Sequence, residues 1–143
     1  MDRIIRVLLI DGHESIRKEL RNSLSSEEGI VVIGEVNGEE TSLAEATELS
    51  PDVAIVLAGD RMPDEKIVDS ACAIGEAKLP VKVIIMAENP LHYLLPAIKS
   101  GAAGILSDSI GRDELLSAIR RIHLWFPSSQ PSDSTLSDWD STL

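Results

Sequence analysis

The sequence predicts an open α/β domain, a five-stranded parallel sheet with helices on both faces. Two observations carry this. Five short apolar runs of strand length recur along the chain, and segments with helical periodicity separate them. The runs are almost continuously apolar instead of alternating, the pattern of strands covered on both faces. Five such β–α units fit within about 120 residues, the size of a doubly wound sandwich.

The strand runs are Ile4–Ile10, Ile30–Val36, Val53–Leu57, Val81–Met86 and Gly104–Leu106. Between them, Ile16, Leu20 and Leu24 recur at i, i+4, i+8 and define a first helix. Leu43, Ala46 and Leu49 define a second, which ends at Ser50-Pro51. The third spans about 65–77, with Ile67, Ala71 and Ile74 on one face and Asp64 placed to cap it. The fourth, about 91–100, contains Pro96, which predicts a lost backbone hydrogen bond and a short or kinked helix. The fifth, about 112–123, has Leu115, Leu116, Ile119 and Ile122 as its buried stripe.

Composition narrows the function. The 143 residues hold 13 Lys+Arg against 24 Asp+Glu, a formal net charge of −11. That is the wrong sign for covering nucleic-acid phosphates. A hydrophobic content of 43% provides a core and excludes global disorder. The single cysteine, Cys72, excludes a disulfide scaffold and reads as a small packed residue. No apolar run reaches the roughly 18–20 residues of a membrane span. The start, Met1-Asp2-Arg3-Ile4, does not read as a signal peptide. A cytoplasmic domain without membrane contact is the expectation. Residues 1–124 form the domain. Residues 125–143, with Asp133, Asp138 and Asp140 but no Lys or Arg, read as an acidic Ser/Pro-rich flexible tail or linker.

In doubly wound sheets function lies at the carboxyl ends of the strands. Those places here are Asp11-Gly12-His13, Ala58 to Pro63, Ala87-Glu88 and Ser107-Asp108. The opening Val7-Leu8-Leu9-Ile10-Asp11-Gly12-His13-Glu14, with Arg17, resembles a response-regulator receiver domain of the NarL/FixJ (LuxR-type) family. Ser50-Pro51-Asp52-Val53, Arg61-Met62-Pro63, Gly101 to Leu106 and Asp113 to Ile119 add to the resemblance, which spans about residues 3–124. It implies a flavodoxin-like (CheY-like) fold of strand order 2-1-3-4-5. It also implies phosphoryl transfer from a histidine kinase to an aspartate, assisted by Mg²⁺, a hydroxyl and a lysine.

This chain departs from that chemistry. Asp11 remains, but Gly12 replaces the second carboxylate. The phosphoacceptor position falls on Leu57 counting from Pro51, or on Gly59 counting back from Met62-Pro63. The hydroxyl position falls on Ala87, and the lysine position falls on Asp108 or is deleted. Asp11, Asp60, Glu88 and Asp108 would then share one edge without a fixed cation, which disfavours an anionic phosphoryl group. The expectation is a degenerate, phosphorylation-independent receiver. It is not an enzyme, needs no cofactor, and acts through a protein partner or a homodimer, with a histidine kinase disfavoured as donor.

Alternatives stay open. Asp60 is the nearest substitute acceptor, and Mg²⁺ would matter only if it is used. Asp11 and Asp60 are the weak metal candidates. Asp11-x-His13 is also found in cobalamin-binding domains of this fold, but Ile16 stands where their glycine would be. Flavodoxin-type nucleotide binding lacks its phosphate loop. Pro96, Ile119, Trp125 and Phe126 are candidates for an interface near the fourth and fifth helices, the aromatic pair fitting equally a last packed turn. A DNA-binding helix-turn-helix, common in this family, would have to lie beyond residue 143.

Overall fold

The computed structural model describes residues 4–11, 14–36, 48–58 and 81–124. The expected third helix, Leu43 and Ala46 of the expected second, Gly12, His13, Gly59, Asp60, Trp125, Phe126 and the 125–143 segment lie outside them. The five strands are β1 (Ile5–Asp11), β2 (Ile30–Val36), β3 (Val53–Ala58), β4 (Lys82–Ala87) and β5 (Gly104–Ser107). The described helices are α1 (Glu14–Ser25), α2 (Leu94–Ser100) and α3 (Arg112–Leu124). All strand pairs are parallel, in the order β2-β1-β3-β4-β5. The chain leaves β1 for one edge and returns on its other side to form β3, so the switch point lies between β1 and β3.

The near-continuous apolar strands divide their side chains between two cores, because successive residues point to opposite faces. Val7, Leu9, Val53, Ile55, Leu57, Ile84 and Met86 join Leu20 and Leu24 of α1 and Leu115, Leu116 and Ile119 of α3. On the other face Leu8, Ile10, Ala54, Val56, Val83, Ile85 and Ala87 join Tyr93 and Ala97. A register shift between Val7 and Leu8 interrupts the β1–β2 ladder: Val7 faces Val32 but Leu8 faces Gly34, leaving Ile33 as the extra residue. Gly34 permits the close approach that follows, since a Cβ there would lie 2.9 Å from Leu49 Cδ1 and 3.3 Å from Leu8 Cδ1.

The fourth helix corrects one expectation. A 3₁₀ turn, Pro90–Tyr93, comes first, and α2 starts only at Leu94. Pro96 therefore sits in the first turn of α2, where backbone N–H groups have no acceptor within the helix, and no hydrogen bond is lost. The helix is short, as expected, and Gly101 ends it at φ 75°, donating to the carbonyls of Ala97 and Ile98.

Ile119 corrects another. It was a candidate interface residue, yet it is 0% exposed and lies in the core shared by α1, α3 and the sheet. The i, i+3, i+4 stripe that places Leu115 and Leu116 inward takes Ile119 with them.

The amino ends of the strands are cross-tied. Arg6 N–H donates to Asp52 Oδ2 at 2.9 Å, and its guanidinium donates to the Leu49 carbonyl at 2.8 Å. Lys82 Nζ donates to the His123 carbonyl at 2.7 Å, placing a cation at the C-terminus of α3 where the helix dipole favours it. Burial lowers the Lys82 pKa from its ordinary 10.5, and the Asp52 carboxylate opposes the shift. The folded state then binds fewer protons than the unfolded chain just below pH 10.5. The associated stability is full above that value and is lost as pH falls through the lowered one. Chemical denaturation across this window is expected to show a small rise in stability with pH that the Lys82→Gln variant lacks.

Candidate functional site

The ladder sets the carboxyl ends of the strands level. Asp11, the last residue of β1, faces Leu57 of β3; Leu57 faces Met86; and Met86 faces Leu106. One step further, Ala58 faces Ala87, and Ala87 faces Ser107. The sequence positions singled out on four separate strands thus come to one edge, two residues deep.

Their side chains are of different kinds. Leu57 is 2% exposed and turned into the core beneath α1 and α3. Ala87 is 1% exposed and belongs to the opposite core. Neither presents a polar atom. Asp108 is exposed, and its backbone N–H donates to the Ala87 carbonyl at 2.9 Å, extending the β4–β5 pairing by one bond. Beside it, the Ser107 and Ser109 hydroxyls are 2.8 Å apart, and Ser109 N–H donates to Ser107 Oγ at 3.1 Å. This closed polar turn uses its own donors and acceptors. Glu88 is exposed. Among the described residues no three His, Cys, Asp or Glu side chains come together as a set that could hold a metal ion.

A cleft of about 200 Å³ opens between α1 and the β5–α3 turn, with Met86 on its lining and Glu19, Ser23, Asp108 and Arg112 as its polar groups. Arg112 was missed as a site residue. It supplies a cation near Asp108, but its guanidinium is already held by Ser26 Oγ at 2.9 Å and Glu27 Oε2 at 3.4 Å. Glu27 also accepts from Arg120 at 2.9 Å. Arg17 was noted only as part of the resemblance. Its Nε is buried and has no hydrogen-bond partner among the described residues. Adjacent acidic residues in sequence signalled neither arginine, since Arg112 meets Glu27 across 85 residues.

Of the interface candidates, Ile119 is buried, and Pro96 lies in α2 between exposed Leu95 and buried Ala97. Leu91 and Leu95 are 81% and 66% exposed on that side of the fold. No described helix is long and apolar enough to cross a membrane.

Comparison with known proteins agrees with this layout. The profile of the response regulator receiver domain matches residues 7–120. The response regulator UvrY of Escherichia coli (strain K12) is 34% identical over 123 residues, which cover 84% of this chain and 55% of the relative. The chain thus spans about half the length of such relatives. The response regulator domain of Thermotoga maritima CheB superposes with a TM-score of 0.74 at 25% identity, covering 87% of this chain and all of that one. The signal receiver domain of the response regulator NarL from Mycobacterium tuberculosis gives 0.73 at 24% identity, over 85% of this chain and 97% of that one. With the strand order, the register of the carboxyl edge and a profile match over most of its length, the chain belongs to the response regulator receiver domain family.

Proposed function

We propose that this chain is a phosphorylation-independent receiver, a regulatory module that signals through protein contact. The observation that carries the reading is Leu57. It occupies the place level with Asp11 at the end of β3, and its side chain is an alkyl group sealed in the core. A phosphoacceptor there would need a carboxylate reachable by a kinase and a metal. Ala87 lacks a hydroxyl to contact a phosphoryl oxygen, and Asp108 is an anion where a cation would be needed. The reading requires no cofactor, since no phosphoryl group has to be transferred. The net charge of −11 supports protein partners over nucleic acid for these residues. A conformational switch of this kind needs a partner that binds one state better than the other.

The alternative is an active receiver using Asp60. Incubation of the chain with acetyl phosphate or phosphoramidate and Mg²⁺, followed by intact-mass measurement, separates the two. No phosphoryl gain is expected. Gain of one phosphoryl group, lost in Asp60→Asn, would establish the alternative.

A further inference from the structure

The cleft of about 200 Å³ between α1 and the β5–α3 turn has an apolar floor and a charged rim. Leu20 of α1, Met86 of β4 and Leu115 of α3 form the floor and are buried. Ile16 and Ile110 are half-buried and form the walls. Glu19 and Ser23 lie three and seven residues after Ile16, a helical spacing that puts them on the same side of α1. Asp108 stands on the other wall, in the turn.

The rim is negative. Glu19 and Asp108 are exposed, and neither makes an ion pair with another described residue. Arg112 also lines the cleft, but its guanidinium is committed to Ser26, Glu27 and Asp113. An anion entering the cleft would meet two carboxylates and no uncommitted cation among the described lining residues. A bare metal ion is no better matched. Two carboxylates and one hydroxyl fall short of the roughly six to eight oxygen ligands of Ca²⁺, and no third Asp, Glu, His or Cys joins them among the described residues.

What fits is a cation with its own apolar body. Its charge sits at the rim beside Glu19 and Asp108, and its alkyl groups cover the floor and displace water from it. The floor is aliphatic apart from the Met86 thioether, which adapts to the shape laid against it. The volume is below the roughly 300–1,000 Å³ of pockets for drug-sized ligands, so the body is small.

We infer that this cleft binds a small alkylammonium ion, its head between Glu19 and Asp108 and its chain over Leu20, Met86 and Leu115. The inference goes beyond the proposed function, since it names the class of a soluble signal. Bound there, the ligand joins α1 to the start of α3, which the contacts of Arg112 with Ser26 and Glu27 already tie, and it favours the conformation that keeps the two together.

Isothermal titration calorimetry of the full chain with n-hexylammonium chloride tests it. A fixed ionic strength in every arm screens the overall charge of −11 equally. A single saturable site is expected. Glu19→Gln and Asp108→Asn should each weaken binding by about two- to fivefold, and together by about tenfold, as each removes one solvent-exposed charge contact. Ser23→Leu fills the cleft from the α1 side without adding charge and should abolish binding. Hexanoate, the same chain length with the opposite charge, and ammonium chloride, the head alone, should not bind. Nα-acetyl-lysinamide stands for the side chain of a protein partner. It should bind more weakly than hexylammonium, because its amides would lose water against an aliphatic lining. Circular dichroism checks that the variants keep the fold. The inference is overturned by the absence of a saturable site, by hexanoate or ammonium binding as tightly, or by tighter binding of the lysine amide. It is equally overturned by an affinity that the carboxylate variants or Ser23→Leu leave unmoved. Phosphoryl uptake would overturn the proposed function and leave this result unaffected.

Discussion

Ile119→Ala is expected to lower the unfolding free energy by about 2–5 kcal/mol, the range for truncating a large aliphatic side chain in a packed core. Ile119 is 0% exposed and touches both α1 and the sheet through the core beneath α3. Its neighbours Leu9, Leu24 and Ile84 are equally shielded and held by strand or helix backbone, so the cavity cannot close by local collapse. For a chain of this size the loss corresponds to a fall in melting temperature of about 4–20 °C. Leu124→Ala, on the same helix but 69% exposed, is expected to change stability by less than about 0.5 kcal/mol. Thermal and urea denaturation of both variants gives the comparison. A small effect at Ile119 with a large one at Leu124 would contradict the orientation of α3.

Leu57→Asp is the second large effect. It places a carboxylate at one of the two positions, Leu57 or Gly59, to which the family spacing assigns the acceptor, so it has the form of a repair. The surroundings make it an injury. Leu57 is 2% exposed among Leu9, Ile55, Ile84 and Met86, none of which offers a donor or a cation. An unpaired buried carboxylate costs about 3–5 kcal/mol, to which the lost leucine packing adds. That removes a large fraction of the about 5–15 kcal/mol that holds a domain folded. The variant is expected to be strongly destabilised, and to take up no phosphate from acetyl phosphate at temperatures where circular dichroism shows it folded. Uptake would mean that Ala87 and Asp108 do not prevent the chemistry.

The parts of the fold written in local patterns were legible in the sequence. Ile30–Val36 was placed to the residue, and the stripe Leu115, Leu116, Ile119 fixed which side of α3 is inside. The same stripe contradicted Ile119 as an interface residue, and burial decided for the stripe. What escaped depends on contacts between distant segments. The extra residue at Ile33 arises from how β2 meets β1, and Gly34 beside it is its one local signal. The start of α2 at Leu94 depends on a 3₁₀ turn whose end carries Tyr93 into the second core. At the carboxyl edge, spacing brought Asp11, Leu57, Ala87 and Asp108 together, because strand ends in a parallel sheet are counted from the sequence. Arg112 was not found, since its partners come from the turn after α1.

The division of the sheet's side chains into two cores has a further meaning. Leu8 and Leu9 are adjacent in sequence, yet they belong to separate apolar bodies with the β-sheet as the wall between them. A contact on α3 presses on one body, and a contact near Tyr93 and α2 presses on the other. For one to influence the other, the wall itself must bend or slide, since interdigitated cores resist gradual deformation. The sheet is therefore an insulator by default. Where Ile33 breaks the β1–β2 ladder, the wall has its one interruption among the described strand pairs.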